Sequence, residues 1–164
     1  MKSLTRDELH RLFDAAEQVS HKDALMLRVT FNHGLRVSEV ISLNESNIVG
    51  GHLVVQRLKK SRKTTQPLLP DEQELTTMTG RFFPMSRMTF HRRMVEYGRK
   101  AGIPEFKCHA HALKHSTGRL AYLGGMKVAE LQKYLGHVNG GNTMVYLEAD
   151  EAEAAAAFAA AVGK

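Results

Sequence analysis

The chain has 164 residues, 43% of them hydrophobic, and a net charge of +6. That length suits one good core and is too short for two ordinary domains. No apolar run approaches the roughly 18 residues of a membrane span, no segment reads as a secretory signal, and a lone cysteine, Cys108, excludes an internal disulfide framework and suits a reducing cytoplasm.

The charge is unevenly spread. Residues 1–50 carry 6 basic and 7 acidic groups, residues 51–149 carry 16 and 7, and residues 150–164 return to a net of −2. A positive field over the middle of the chain suits a polyanion and predicts salt-dependent binding.

In chain order, Thr5 and Glu8 form a capping box for a first helix, with Leu4 and Leu9 at the staple positions and Leu9, Leu12, Phe13 and Ala16 as its apolar stripe. A second helix is predicted over 21–32, stopping at His33-Gly34, and a short third helix follows Arg36. The period then changes. Ile48-Val49, a Gly50-Gly51 turn and Leu53–Val55 predict a tight hairpin, and a third strand is expected around Gln66–Leu69 after a basic turn. Further helices are predicted at Asp71–Met78, Ser86–Lys100, about 110–123, Val128–Leu135 and 141–149, with an alanine-rich helix former at the end.

Several residues along this path can carry phosphate chemistry. Arg36 follows the glycine that ends the second helix and can set its planar fork against a phosphate, with Glu39 one turn later to orient it or cap local backbone. The turn RLKKSRK at 57–63 has five basic residues in seven, and a lysine there can protonate a leaving alkoxide. His111 and Lys114, three apart on a helix, share a face. His137 follows the helix-ending Gly136, where it can serve a phosphoryl oxygen or cap the helix end. Tyr146 comes nine residues later. Cys108, His109, His111 and His115 also invite a zinc reading, although there is no HExxH and no second cysteine.

The pieces HGLRVSE, the lysine turn before QPLLP, HALKHS, LGH and the tyrosine nine residues on stand in one order across roughly Thr5 to Glu148. In that order and spacing the chain resembles the catalytic domain of the tyrosine recombinase, or phage integrase, family. The resemblance implies an α+β, mainly helical fold with a small three-stranded antiparallel sheet. It implies a single catalytic domain over 1–164, without the N-terminal core-binding domain usual in the family, and a C-terminal helix at 150–164 that packs on a neighbouring protomer.

It implies a catalytic set of Arg36, Lys59 (with Lys60 a close rival), His111, Lys114, His137 and the nucleophile Tyr146. One departure stands out: Lys114 occupies the place of the family's second arginine, giving HxxK. The implied activity is cleavage and rejoining of double-stranded DNA through a 3′-phosphotyrosyl intermediate, with no metal or other cofactor, by a protein that self-associates on DNA as a tetramer in the cytoplasm. Lys60, Arg62, Lys63, Arg87, Arg92 and Arg93 are expected to contact DNA. A catalytically weakened DNA-binding module of the same fold is the alternative, and a zinc-dependent hydrolase a remote one.

Overall fold

The computed structural model describes residues 3–59, 61–138 and 151–163. Helix α1 (Arg6–Val19) starts on the expected capping box, with Thr5 and Glu8 exchanging backbone-to-side-chain bonds of 3.1 Å each. Its buried stripe is Leu9, Leu12 and Ala16, and the staple residue Leu4 is buried as well. Leu4 N–H donates to Ser116 Oγ at 2.8 Å, which ties the start of the chain to α5 (Ala110–Leu123).

Helix α2 (His21–His33) is central, and Ala24 to Leu27 are buried in succession around it. It ends on Gly34 in the left-handed conformation, with Leu35 N–H reaching back to Thr30 O at 3.0 Å. That stop turns the chain sharply, so Arg36 becomes the N-cap residue of α3 (Val37–Ile41).

The sheet is antiparallel with order β1 (Ile48–Val49), β2 (His52–Gln56), β3 (Lys63–Pro67). Val54 pairs with Thr65 and Gln56 with Lys63. The third strand therefore starts earlier than the predicted Gln66–Leu69. Its inward-facing residues are Thr64 and Gln66, both buried, so a search for apolar alternation misses it. Gln66 is satisfied by donating to Tyr134 O at 2.8 Å and by contact with His33 Nδ1, also at 2.8 Å.

A second correction concerns Asp71–Met78, which winds as 3-10 turns over Pro70–Thr77. Its buried residues, Glu72 and Leu75, are three apart, which matches the 3-10 period. Helix α4 (Arg87–Lys100), capped by Ser86, then packs Phe90, Met94 and Tyr97 into the main core with Leu12, Leu25, Phe82 and Phe83. Helices α5 and α6 (Val128–Leu135) follow as predicted, the latter closed by Gly136, and Leu131 and Leu135 make a second small apolar cluster. The alanine-rich tail is helix α7 (Glu151–Val162), with Phe158 and Val162 exposed. The predicted 141–149 helix, Tyr146 within it, and Lys60 lie outside the described residues.

Candidate active site

A cleft of about 530 Å³ opens where the start of α3, the tip of the β2–β3 hairpin, the first turns of α4 and α5 and the end of α6 meet. Arg36, Lys59, Arg87, His111, Lys114, His115 and His137 line it. Five of the six expected catalytic residues thus share one cavity, although they are spread from position 36 to 137 in sequence.

Glu39 organises the floor. Its Oε1 accepts the Arg36 backbone N–H at 2.7 Å and Arg57 Nη1 at 3.3 Å. Its Oε2 accepts the Leu58 N–H at 2.8 Å and Arg36 Nη1 at 3.2 Å. Burial works to raise this carboxyl, but the two backbone donors, Arg57 and Lys114 outweigh it and hold Glu39 below the usual carboxylate range. The sequence offered two roles for Glu39, orienting the arginine and capping backbone; the side chain performs both.

Arg57 is the residue that sequence reasoning missed. It belongs to the basic stretch RLKKSRK, yet it is 2% exposed. Its guanidinium donates to His33 O at 2.6 Å, Gly34 O at 3.0 Å and Thr64 Oγ1 at 2.8 Å, besides Glu39. The signal was available in its phase: Leu53, Val55 and Arg57 point inward at two-residue intervals along the strand. Arg57 therefore fixes the hairpin to the corner that carries Arg36.

Beyond Arg57 the hairpin turns tightly. Leu58 O accepts from Arg36 Nη1 at 3.1 Å and from Ser61 N–H at 3.2 Å. Lys59 sits at φ 55, in the left-handed region, with its side chain exposed at the cleft mouth. A left-handed lysine costs about 1–2 kcal/mol, so the turn's own bonds must hold it. Arg62 N–H in turn donates to Gly136 O at 2.8 Å, which joins the hairpin to the LGH corner.

Lys114 is 4% exposed, and its Nζ donates to Gly34 O at 2.9 Å. Burial, then the positive charges of Arg57 and Arg36, push it down to about 7, with Glu39 pulling the other way. His137 is 2% exposed, and burial followed by Lys114, Arg36 and Arg57 lowers it to about 4. At neutral pH His137 is therefore neutral and Lys114 divides between charged and neutral forms. His111 stands exposed on the first turn of α5, one helical turn from His115.

The other expected DNA contacts lie at different distances from this floor. Arg62 and Lys63 are exposed on the hairpin, Arg87 lines the cleft, and Arg92 is exposed on α4 beside Thr89. Arg93 is ion-paired with Asp23 at 2.8 Å, and Tyr97 shares the same carboxylate. As for zinc, no three His, Cys, Asp or Glu side chains converge among the described residues. Cys108 is buried with its thiol toward Pro104 O at 3.4 Å, and His109 caps α5 by accepting the Ala112 N–H.

Sequence and fold comparisons identify the family and the fold. The pattern of the phage integrase family matches residues 2–82 and 80–153. The type 1 fimbriae regulatory protein FimB of Escherichia coli K12 is 30% identical over 165 residues, covering 87% of this chain and 82% of FimB. Tyrosine recombinase XerA of Pyrococcus furiosus is 31% identical over 164 residues, covering 88% of this chain and 56% of XerA. The chain thus spans most of FimB and little more than half of XerA.

Among solved structures, a XerA recombinase superposes with a TM-score of 0.83 at 19% identity, over 99% of this chain and 64% of that one. XerH bound to a palindromic difH substrate, a post-cleavage complex, gives 0.82 at 16% identity, over 97% and 52%. The catalytic domain of bacteriophage HP1 integrase gives 0.71 at 22% identity, over 96% and 95%. The family pattern, a relative at 30% identity and the shared fold lead to one conclusion: the chain belongs to the phage integrase family and has the catalytic-domain fold of the tyrosine recombinases.

Proposed function

We propose that the chain is a site-specific DNA recombinase that cleaves and rejoins double-stranded DNA through Tyr146. The observation that carries this reading is the common cleft of Arg36, Lys59, His111, Lys114 and His137, which turns cationic and hydrogen-bonding side chains toward one space open to a backbone phosphate. The phenolic oxygen of Tyr146 attacks phosphorus as the bond to the 5′ oxygen breaks, leaving a 3′-phosphotyrosyl link and a 5′ hydroxyl. A phenol ionises near pH 10, so its proton needs an acceptor, and His111 takes that part.

Arg36, held by Glu39, meets the phosphoryl oxygens with its planar fork, and Lys114 and His137 support the developing charge from below. Lys59 delivers a proton to the departing oxygen. A 5′ hydroxyl from a partner strand reverses the steps, with no nucleotide consumed. Lys60, Arg62, Lys63, Arg87 and Arg92 bind flanking phosphates, with Arg93 tethered beside them by Asp23. Strand exchange requires four copies around two duplexes, and α7 is the segment suited to pack between them.

A nicked suicide duplex at low salt tests the reading: wild type accumulates a covalent adduct and Tyr146→Phe accumulates none. Adduct in both variants would remove Tyr146 as the nucleophile. A second reading, a weakened DNA-binding module, draws on one observation: Lys114 is committed to Gly34 O and has only a partial charge at neutral pH. It predicts DNA binding without adduct in wild type, with cleavage appearing in Lys114→Arg.

A further inference from the structure

On the first two turns of α5, two imidazoles face each other across one side of the helix. His111 Nε2 and His115 Nε2 are 2.9 Å apart, and the rings meet edge to face at 4.5 Å between centroids and 63° between planes. We infer that His111 and His115 hold one proton between them, and that His115 is the positioning residue that sets the protonation state of His111. The use of this pair in strand cleavage rests on the function proposed above; the sharing of the proton does not.

The distance is that of a hydrogen bond between two ring nitrogens, so one Nε2 carries a proton and the other presents its lone pair. In the neutral pair the donor ring then has its lone pair on Nδ1 and the acceptor ring has its proton there. Adding one proton keeps the bond, because the charged ring still donates to the neutral one. Adding a second places two N–H groups nose to nose and breaks it. The second protonation is opposed further by the cations that line the same cleft: Lys114 on the same helix, Arg36 from α3, Lys59 from the hairpin and Arg87 from α4. Among the described residues that line the cleft there is no carboxylate, and the described neighbouring rings are His137 and His109, the latter stacked on His111 at 6.4 Å.

A pair of this kind is a better proton acceptor for a phenol than one exposed ring. A proton taken on Nδ1 of the donor ring lets the Nε2 proton pass to its partner, whose Nδ1 proton can leave to solvent. One proton enters and one departs, and no second charge accumulates beside Arg36 and Lys114. The i,i+4 spacing fixes the two rings on one face of a rigid helix, so the acceptor is oriented before the nucleophile arrives.

Nitrogen-15 NMR of the imidazoles in the full chain tests this directly. In wild type, His111 and His115 should titrate as a coupled pair, in two steps separated by more than about one pH unit. In His115→Ala, His111 should collapse to one step with a mixed tautomer population, whereas His115→Gln, which keeps a side-chain N–H near the lost Nε2, should hold His111 in one tautomer. Amide spectra confirm that each variant is folded, and the reciprocal His111→Ala reads the same coupling from the other ring. Independent single-step curves in wild type, or an unchanged His111 tautomer in His115→Ala, would overturn the inference. On suicide DNA, His115→Ala should slow adduct formation about tenfold and move the acid limb of its pH profile, with DNA affinity unchanged. A wild type that forms no adduct defeats the proposed function alone, since the NMR result still decides the pair.

Discussion

Replacing Lys114 by methionine should stabilise the chain near neutral pH and progressively lose that advantage in alkali. Lys114 falls from an ordinary 10.5 to about 7 in the folded chain, first through burial and then through Arg57 and Arg36. Between those values the unfolded chain binds a proton that the folded chain has released, so wild-type stability rises with pH across that window. Below pH 7 both states are protonated and the full cost is present; above 10.5 both are neutral and it is gone. The slope reaches about 1.4 kcal/mol per pH unit, which gives about 2 kcal/mol between pH 7 and pH 9 and at most about 5 over the whole window.

Methionine keeps the stem volume and has nothing to titrate. Gly34 O retains a donor in the variant, since Arg57 Nη1 reaches it at 3.0 Å. Glu39 and His137, which also feel Lys114, titrate below pH 7, so between pH 7 and 9 the difference between variant and wild type reports on Lys114. Urea unfolding at pH 6, 7, 8 and 9 should show the methionine variant ahead at pH 6 and its lead shrinking by about 2 kcal/mol from pH 7 to 9. A lead that stays constant to within about 0.5 kcal/mol over that range would refute a depressed Lys114.

Three further outcomes follow from the same floor. Gly136→Ala forces a side chain onto a residue at φ +73 with Arg62 O and Thr64 Cγ2 each 2.8 Å from the new carbon, and thermal unfolding should report a loss of about 2 kcal/mol or more. Glu39→Gln leaves Arg36 and the buried Arg57 without their shared anion and turns an amide group toward donors, so urea unfolding should show a loss of about 3 kcal/mol. Arg62→Ala, on the exposed side of the hairpin, should leave stability unchanged and reduce the slope of log affinity for duplex DNA against log salt by about 1.

Much of this was legible because the signals were local. Capping residues, Gly34, Gly124 and Gly136 placed the ends of α1, α2, α5 and α6 close to where they fall. Local patterns failed where buried positions are polar. β3 turns Thr64 and Gln66 inward; Thr64 accepts from Arg57 across the hairpin, and Gln66 is satisfied by partners distant in sequence, as in its 2.8 Å bond to Tyr134 O. Arg57 was hidden for the same reason: its four acceptors come from α2, Gly34, α3 and β3, and no window of sequence contains them. The motif residues were found by type and order. Their exposure, which separates the outer Lys59 and His111 from the inner Lys114 and His137, required the packed chain.

That division gives the lysine at 114 a physical rationale. Among the described residues the inner layer holds one anion, Glu39, against Arg57, Arg36 and whatever charge stands at position 114. An arginine at 114 would stay protonated, leaving three guanidinium groups around one carboxylate. A lysine can shed its proton there, and its Nζ still has Gly34 O as a partner in either form. An anion entering the cleft raises the affinity of Lys114 for that proton, so the positive charge returns when a phosphate is present to use it. Binding of a phosphodiester should then take up a proton between pH 7 and 9, and the uptake should vanish in Lys114→Arg, measured by calorimetry in buffers of different ionisation enthalpy. Equal uptake in both would place the titrating group elsewhere in the cleft.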